Sequence, residues 1–280
     1  MFFKKKNKTD AEIELQKANK KKGCLKSFII GVVALVFIGI VVIFSVRDSL
    51  KLFGVNLKTF NEYVSWLNEE VDESKLTTNP ISGNSYLTFK QKAEASGLEI
   101  FDNNGNVALN YPSINISANL TVYDYELGAM INNASTQEDG GQVFSLLELS
   151  ITQVSENVFS LKTVVRFDLT EIKKEVGSYA NKLPDKIYIT SVGECFTVGS
   201  RVQARNNSIL INQLSEEKND KIVSFLNEID KEVEDDEIMS IVDINNYIVT
   251  EILTSLCQKT NTAPLLNQST FSMMLKSSTN

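Results

Sequence analysis

The sequence predicts an α+β protein in which an N-terminal transmembrane helix is followed by a sheet packed on amphipathic helices, and three observations predict it. One long uncharged apolar run, "SFIIGVVALVFIGIVVIFSV", fills Ser27 to Val46. Downstream, several stretches alternate apolar and polar residues with the period of two of a half-buried strand. Between them, apolar residues recur every three or four positions, as on one face of a helix.

The anchor comes first. Twenty residues at about 1.5 Å rise span roughly 30 Å, the thickness of a bilayer's hydrocarbon core. Residues 1 to 26 hold nine lysines against three acids, a formal +6, which places that end in the cytoplasm and everything after Arg47 outside. The run ends in "VIFSVRDS" without the small residues of a cleavage site, so the anchor is expected to stay uncleaved. Cys24 precedes the span without a lipoprotein signature and reads as an idle juxtamembrane thiol, with acylation as the alternative.

Leu50, Phe53, Leu57, Phe60, Val64, Leu67 and Val71 recur at helical spacing, which predicts a juxtamembrane helix over residues 47–76. The stripe serves either a helix packed on its own domain or a dimerising coil, and "GVN" at Gly54 to Asn56 interrupts the heptads. "TTNPISGNS", from Thr77 to Ser85, is a loop by its content of Pro, Gly and Asn. "LEIFDNNGNVALNY" places two apolar runs around Asn104 and Gly105, the chemistry of a hairpin. A calcium loop would need an acid five residues before Gly105, where Ile100 stands.

Three strand-to-helix passages follow. Ile114, Ile116, Ala118, Leu120 and Val122 alternate, and after Asp124 the apolar residues Leu127, Met130 and Ile131 fall at helical spacing. A strand with Leu147, Leu149 and Ile151 on one face comes next, then one with Phe159, Leu161, Thr163, Val165, Phe167 and Leu169. Asp168 or Thr170 caps the helix that follows, whose stripe is Ile172, Val176, Tyr179 and Leu183, and Pro184 in "LPDKIYIT" stops it and starts another strand. The third passage turns helical near Ser215, with Ile222, Leu226, Ile229 and Val233 inward. "EVEDDE" around Glu234 is a solvated face or bend. A last helix over about 239–258 presents Ile241, Ile244, Ile248 and Ile252, and the polar tail is loose. The domain plan is therefore a basic cytoplasmic segment 1–26, the anchor 27–46, the juxtamembrane helix 47–76, an extracytoplasmic α+β domain 77–260 and a loose tail 261–280.

"LTVYDYELGAMIN", from Leu120, and "LTEIKKEVGSYAN", from Leu169, share Leu, Thr, Glu, Gly and Asn at matched positions. No shared position supplies a nucleophile or a base with a partner, so the repeat reads as scaffold. A glycine inside a helix, where it costs about 1 kcal/mol relative to Ala, points to a close helix-on-sheet contact.

Composition narrows the function classes. Residues 27–280 carry 19 basic and 32 acidic groups, a formal −13, which repels nucleic acid. The chain has no histidine, which removes histidine bases, Ser-His-Asp and Cys-His arrangements and the commonest zinc ligand. No phosphate loop, paired-cysteine metal motif or nucleophile elbow occurs, and neither cofactor nor metal is expected. "SEEK", from Ser215 to Lys218, has Ser-x-x-Lys spacing but no accompanying Lys-Thr-Gly, and Ser215 reads as a helix N-cap. A carboxylate hydrolase stays open, since spacing cannot single out one acid pair in so acidic a domain. Cys195 and Cys257 either pair in an oxidising compartment or stay as two buried thiols.

The order of parts, with "LTVYDYELGAMIN" as a strand passing into a Leu-Thr helix opening that ends in Asn and "LPDKIYIT" as Leu-Pro before a strand, resembles the YpmS-like single-pass extracytoplasmic proteins of Gram-positive bacteria. These in turn resemble the tubular lipid-binding (BPI-like) superfamily. The resemblance spans residues 55 to 255 by element order and about twenty residues by motif. It implies a strongly curved antiparallel sheet around a long helix, with an apolar groove for a lipid chain. Leu147, Leu149, Ile151, Leu161, Val165 and Phe167 are the residues that would line such a groove, or else make an ordinary core. Sheltering an acyl chain of about sixteen carbons is worth roughly 12 kcal/mol at about 0.8 kcal/mol per methylene, and needs a continuous dry groove of that length.

The expected function is thus that of a membrane-anchored, extracytoplasmic, non-enzymatic domain that binds a lipid or envelope precursor. The alternative is a closed-core structural or interaction scaffold for cell-envelope machinery. Expected partners are the bilayer through residues 27–46, a lipid ligand or an envelope protein, and no nucleic acid.

Overall fold

The computed structural model describes residues 57–98, 117–135, 144–155, 158–175, 181–198, 201–232, 264–267 and 270–275. The basic segment 1–26, the apolar run 27–46, the hairpin at Asn104 and Gly105, the helix expected over 239–258, Cys24 and Cys257 lie outside them. Among the described residues no helix is long and apolar enough to cross a membrane.

The first element, α1 (Leu57–Leu67), buries Val64 and sets the Tyr63 ring 5.4 Å from that of Phe225, so this part of the stripe packs on its own domain. The helix expected to run to residue 76 ends at Leu67. At Asn68 the backbone N–H still makes the helical bond to the Val64 carbonyl at 3.2 Å, but the side-chain Nδ2 donates to the same carbonyl at 2.7 Å and to that of Lys182 at 2.9 Å, the side-chain competition that favours Asn at helix ends. Val71 falls in the extended segment beyond. A single turn, α2 (Glu73–Leu76), then forms with Asp72 as its cap, accepting from the Ser74 N–H at 3.2 Å and hydroxyl at 2.6 Å.

The sequence offered no periodicity for α3 (Ser85–Ala95), which buries only Ser85, Phe89 and Ala93. It stops at Gly97, whose φ of +70° lets Leu98 and Gly97 donate to Ala93 and Glu94 at 2.9 and 3.0 Å, the paired bonds of a Schellman ending. The expected strand before Asp124 is short among the described residues: β1 (Leu120–Tyr123) runs directly into α4 (Asp124–Ser135). Glu126 reaches back to the Tyr123 N–H at 3.0 Å, half of a capping box, and two acids in the first turn complement the helix dipole.

Four long strands follow: β2 (Phe144–Ser155), β3 (Val158–Asp168), β4 (Lys186–Val198) and β5 (Arg201–Ile211). They pair antiparallel in chain order. Between β3 and β4 lies α5 (Thr170–Glu175), whose first N–H is capped by Asp168 at 3.0 Å. After β5 comes α6 (Glu216–Glu232), with Ser215 at the N-cap position and its carbonyl accepting the Asn219 N–H at 2.9 Å.

The tail expected to be loose instead contributes β6 (Pro264–Asn267) and β7 (Thr270–Leu275), and these with β1 make a second sheet in the order β1-β7-β6. "TFSMML" alternates polar and apolar residues only over its first four positions, and β1, about 150 residues earlier, supplies the ladder that orders it. A short polar-apolar alternation becomes a strand only when such a partner is present.

The sequence repeat is one of outline alone. In the first copy the helix opens at Asp124, four residues after Leu120, and in the second it opens at Thr170, directly after Leu169. Matched residues therefore hold different structural positions.

Candidate functional site

The two faces of the four-stranded sheet locate every residue singled out for a groove. On the inner face, toward α4, Leu149 pairs with Thr163, Ile151 with Leu161 and Leu146 with Val165, while Val165 and Phe167 pair with Ile189 and Ile187. Leu149 and Leu161 are 0% exposed, Val165 1% and Ile151 2%, and Phe167 is half-buried. The contact with α4 runs through Gly128, where a Cβ would lie 2.4 Å from Ile81 Cδ1 and 3.3 Å from Leu149 Cβ. The glycine inside the helix is therefore the close helix-on-sheet contact that the sequence suggested.

Leu147 does not join its expected neighbours. The register of β2 against β3 shifts between Leu146 and Glu148, and this bulge turns Leu147 to the outer face, where it packs with Val71 against Leu76, Val164 and Tyr188. Strict alternation fails at a bulge because one strand spends an extra residue there.

The helix α4 also closes the free edge of β2. Asn132 accepts from the Leu146 N–H at 2.7 Å and donates to its carbonyl at 2.8 Å, as a neighbouring strand would. Asp124 accepts the Ile151 N–H at 3.1 Å, and the Ile81 N–H reaches the Leu147 carbonyl at 2.8 Å. Edge groups so occupied offer no template to another strand. Burial pushes the Asp124 carboxyl up, against the N–H groups of Ile151 and Tyr125 that favour its charge, and the nearby Glu148 adds to the rise. Asn219 does the same at the end of β5, accepting from the Ile211 N–H at 2.9 Å and donating to the Ile209 carbonyl at 2.7 Å.

On the outer face a polar network meets the segment between α1 and α3. Glu148, 0% exposed, accepts from Lys162 at 2.9 Å, from the Thr78 N–H at 2.7 Å and hydroxyl at 2.9 Å, and from Ser150 at 2.8 Å. Burial would raise its carboxyl, but the hydrogen bonds from Lys162, the Thr78 N–H, Ser150 and the Thr78 hydroxyl outweigh it and hold the group below the usual glutamate range. Beside it Glu73 accepts from the Tyr188 hydroxyl at 2.9 Å and faces Arg166 at 3.5 Å. Burial and the Glu73 carboxylate push Tyr188 up to about 12. A third pair lies where α3 meets α4: Lys92 holds both oxygens of the buried Glu126, at 2.8 and 2.7 Å, and sits 4.8 Å above the Tyr123 ring.

Chemically these clusters hold rather than react. A general base works best with its pKa near the working pH, whereas Glu148 is held low and is already engaged by a cation and two hydroxyls. Cys195 is a buried free thiol, pushed by burial to about 12, far from thiolate reactivity. Ser215, of the Ser-x-x-Lys match, is exposed, and Lys218 pairs with Glu69 instead. Among the described residues no three acids or cysteines gather as a metal site.

Sequence reasoning missed Glu148, Lys162, Arg166 and Thr78. The alternation marks one face of β2 and β3 as apolar and the other as mostly polar, and nothing in that spacing marks a strap laid across the polar face. No protein-family model, curated protein or solved structure matches this chain.

Proposed function

We propose that this is a membrane-tethered, extracytoplasmic domain that acts through its surface, as an interaction scaffold of the cell envelope, without catalysis. The apolar run Ser27–Val46 with its +6 flank supports the tether. The observation that carries the scaffold reading is the filled inner face: Leu149, Ile151, Leu161 and Val165 are at most 2% exposed, and the backbone of Gly128 lies against Leu149. Side chains this fully covered support an ordinary closed core on this face rather than an open groove.

A second reading, lipid or envelope-precursor binding, has one observation in its favour. The strands β2 to β5 run to 11–13 residues, with register shifts at Leu146/Glu148, Gln153/Ser155 and Val192/Gly193. Long bulged strands bend a sheet in the way the resemblance to lipid-binding folds requires.

Native mass spectrometry with organic extraction separates the two, using the ectodomain from about residue 50 exported in a phospholipid-rich host and purified without detergent. The scaffold reading expects an apo mass and no lipid captured from liposomes. A stoichiometric bound lipid overturns it and installs the lipid reading.

A further inference from the structure

The segment joining α1 to α3 crosses the outer face of the sheet and is attached mainly by polar groups. The side chain of Asn212 donates to the Leu67 carbonyl at 2.8 Å, and Gln213 exchanges bonds with the backbone of Asp72, accepting its N–H at 3.3 Å and donating to its carbonyl at 3.0 Å. Glu73 meets Tyr188 and Arg166, Thr78 meets Glu148, and Ile81 meets the Leu147 carbonyl. In the strap itself only Leu76 is a fully buried apolar side chain, with Val71 partly buried beside it and Ile81 partly buried against Gly128 of α4 at the strap's far end.

Two further observations bear on how firmly it is held. Asn212 and Gln213 both sit in the left-handed region, at φ of 48° and 57°, which non-glycine residues adopt at a cost. They are two of the residues that grip the strap, so its departure would free Gln213 to relax. The sheet side keeps part of its polar network without the strap: Glu148 gives up the Thr78 N–H and hydroxyl but retains Lys162 and Ser150, and Arg166 gives up Glu73 but retains Ser145 at 3.3 Å. Partly exposed ion pairs such as Glu73 with Arg166 stabilise little, and opening would separate these two charges into water while the buried Glu148 keeps its cation Lys162.

We propose that residues 68–82 form a detachable strap, which opens as a unit while the four-stranded sheet stays folded. Its opening uncovers Leu147, Val164 and Tyr188, an apolar patch between the cations Lys162 and Arg166. The strap is the cover for this patch because it matches the patch in chemistry: Glu73 faces Arg166, and Leu76 packs on Val164. In a domain tethered by its N-terminal side, the chain between the tether and the sheet passes through this strap.

Hydrogen exchange by mass spectrometry on the full chain in detergent micelles tests it. The expected result is that the strap amides bonded to the sheet, Thr78 and Ile81, exchange at least ~100-fold faster than the central amides of β3 and β4, as a sub-global opening requires. Tyr188→Phe, which keeps the ring and removes the hydroxyl on Glu73, should speed strap exchange a further ~10-fold, the size of one lost hydrogen bond to a charged group, and leave β3 and β4 unchanged. As a second measure, Val164→Cys in a chain whose Cys24 and Cys257 are replaced by Ser should react with a small thiol reagent well ahead of Cys195. Strap and strand amides exchanging at one rate, Tyr188→Phe speeding both equally, or Val164→Cys reacting no faster than Cys195 would each overturn the proposal.

Discussion

The inner and outer faces of the sheet are built from alternate residues of the same strands, yet they are closed by opposite means. Inside, Leu149 and Leu161 lie under α4 in a dry apolar layer, where every removed methylene leaves a hole. Outside, a strap with few buried apolar side chains is fixed by carboxylates, amides and hydroxyls. The difference teaches that stability and adaptability are separated across one sheet: the inner layer opens only with the whole domain, whereas polar contacts can be exchanged for water one side at a time.

Substitutions that respect or break this division should sort by size. The largest loss is expected inside, where Leu161→Ala should destabilise by about 3 kcal/mol in a denaturant titration, through transfer and cavity terms together. A loss below about 1 kcal/mol would mean that the inner face is looser than its burial indicates and would revive the groove.

Next comes Glu148→Gln, expected to cost about 2 kcal/mol at neutral pH, less than a wholly buried pair because Lys162 remains 24% exposed. Its pH signature is distinctive. Glu148 titrates lower in the fold than its unfolded value of about 4.3, so its contribution is full above that value and is lost as pH falls through the lowered folded value. Asp124 runs the other way: its raised folded pKa means that its penalty builds as pH rises above the unfolded value and is complete once pH has passed the raised folded value. Acid titration of stability should therefore show a shallower acid-side loss in Glu148→Gln than in the unmodified chain.

Smaller still is Asp124→Asn, at about 1 kcal/mol. Oδ1 and Oδ2 each accept a backbone N–H, from Tyr125 and Ile151, and an amide can accept only one of them. Gly128→Ala should also lose about 1 kcal/mol, the gain in helix propensity being outweighed by the contact with Ile81 and Leu149. Combining it with Ile81→Ala should be less harmful than the sum of the two, which a double-mutant cycle would read directly. At the bottom of the scale, Val154→Thr on the 60% exposed Val154 should shift the denaturation midpoint negligibly, within about 0.5 kcal/mol.

Local chemistry made much of this architecture legible. The alternation of β3, the Asp168 cap, the strand that starts after Pro184 and the passage of β1 into α4 follow from side-chain period and backbone preference, which neighbouring residues settle among themselves. The apolar run Ser27–Val46 and its basic flank state their expectation of a tether in the same local terms. The sequence by itself also marked Gly128 as a place of close approach and removed histidine chemistry outright.

What tertiary structure alone decided has one physical cause, that the deciding partner lies far away along the chain. The bulge that turns Leu147 outward exists only in the register with β3, and "TFSMML" becomes a strand only beside Leu120–Tyr123. Glu148 reads as a solvated acid until Thr78, 70 residues earlier, and Lys162, 14 later, bury it together. Whether a polar face meets water or a strap is not written in its own period, because burial depends on what the rest of the chain lays over it.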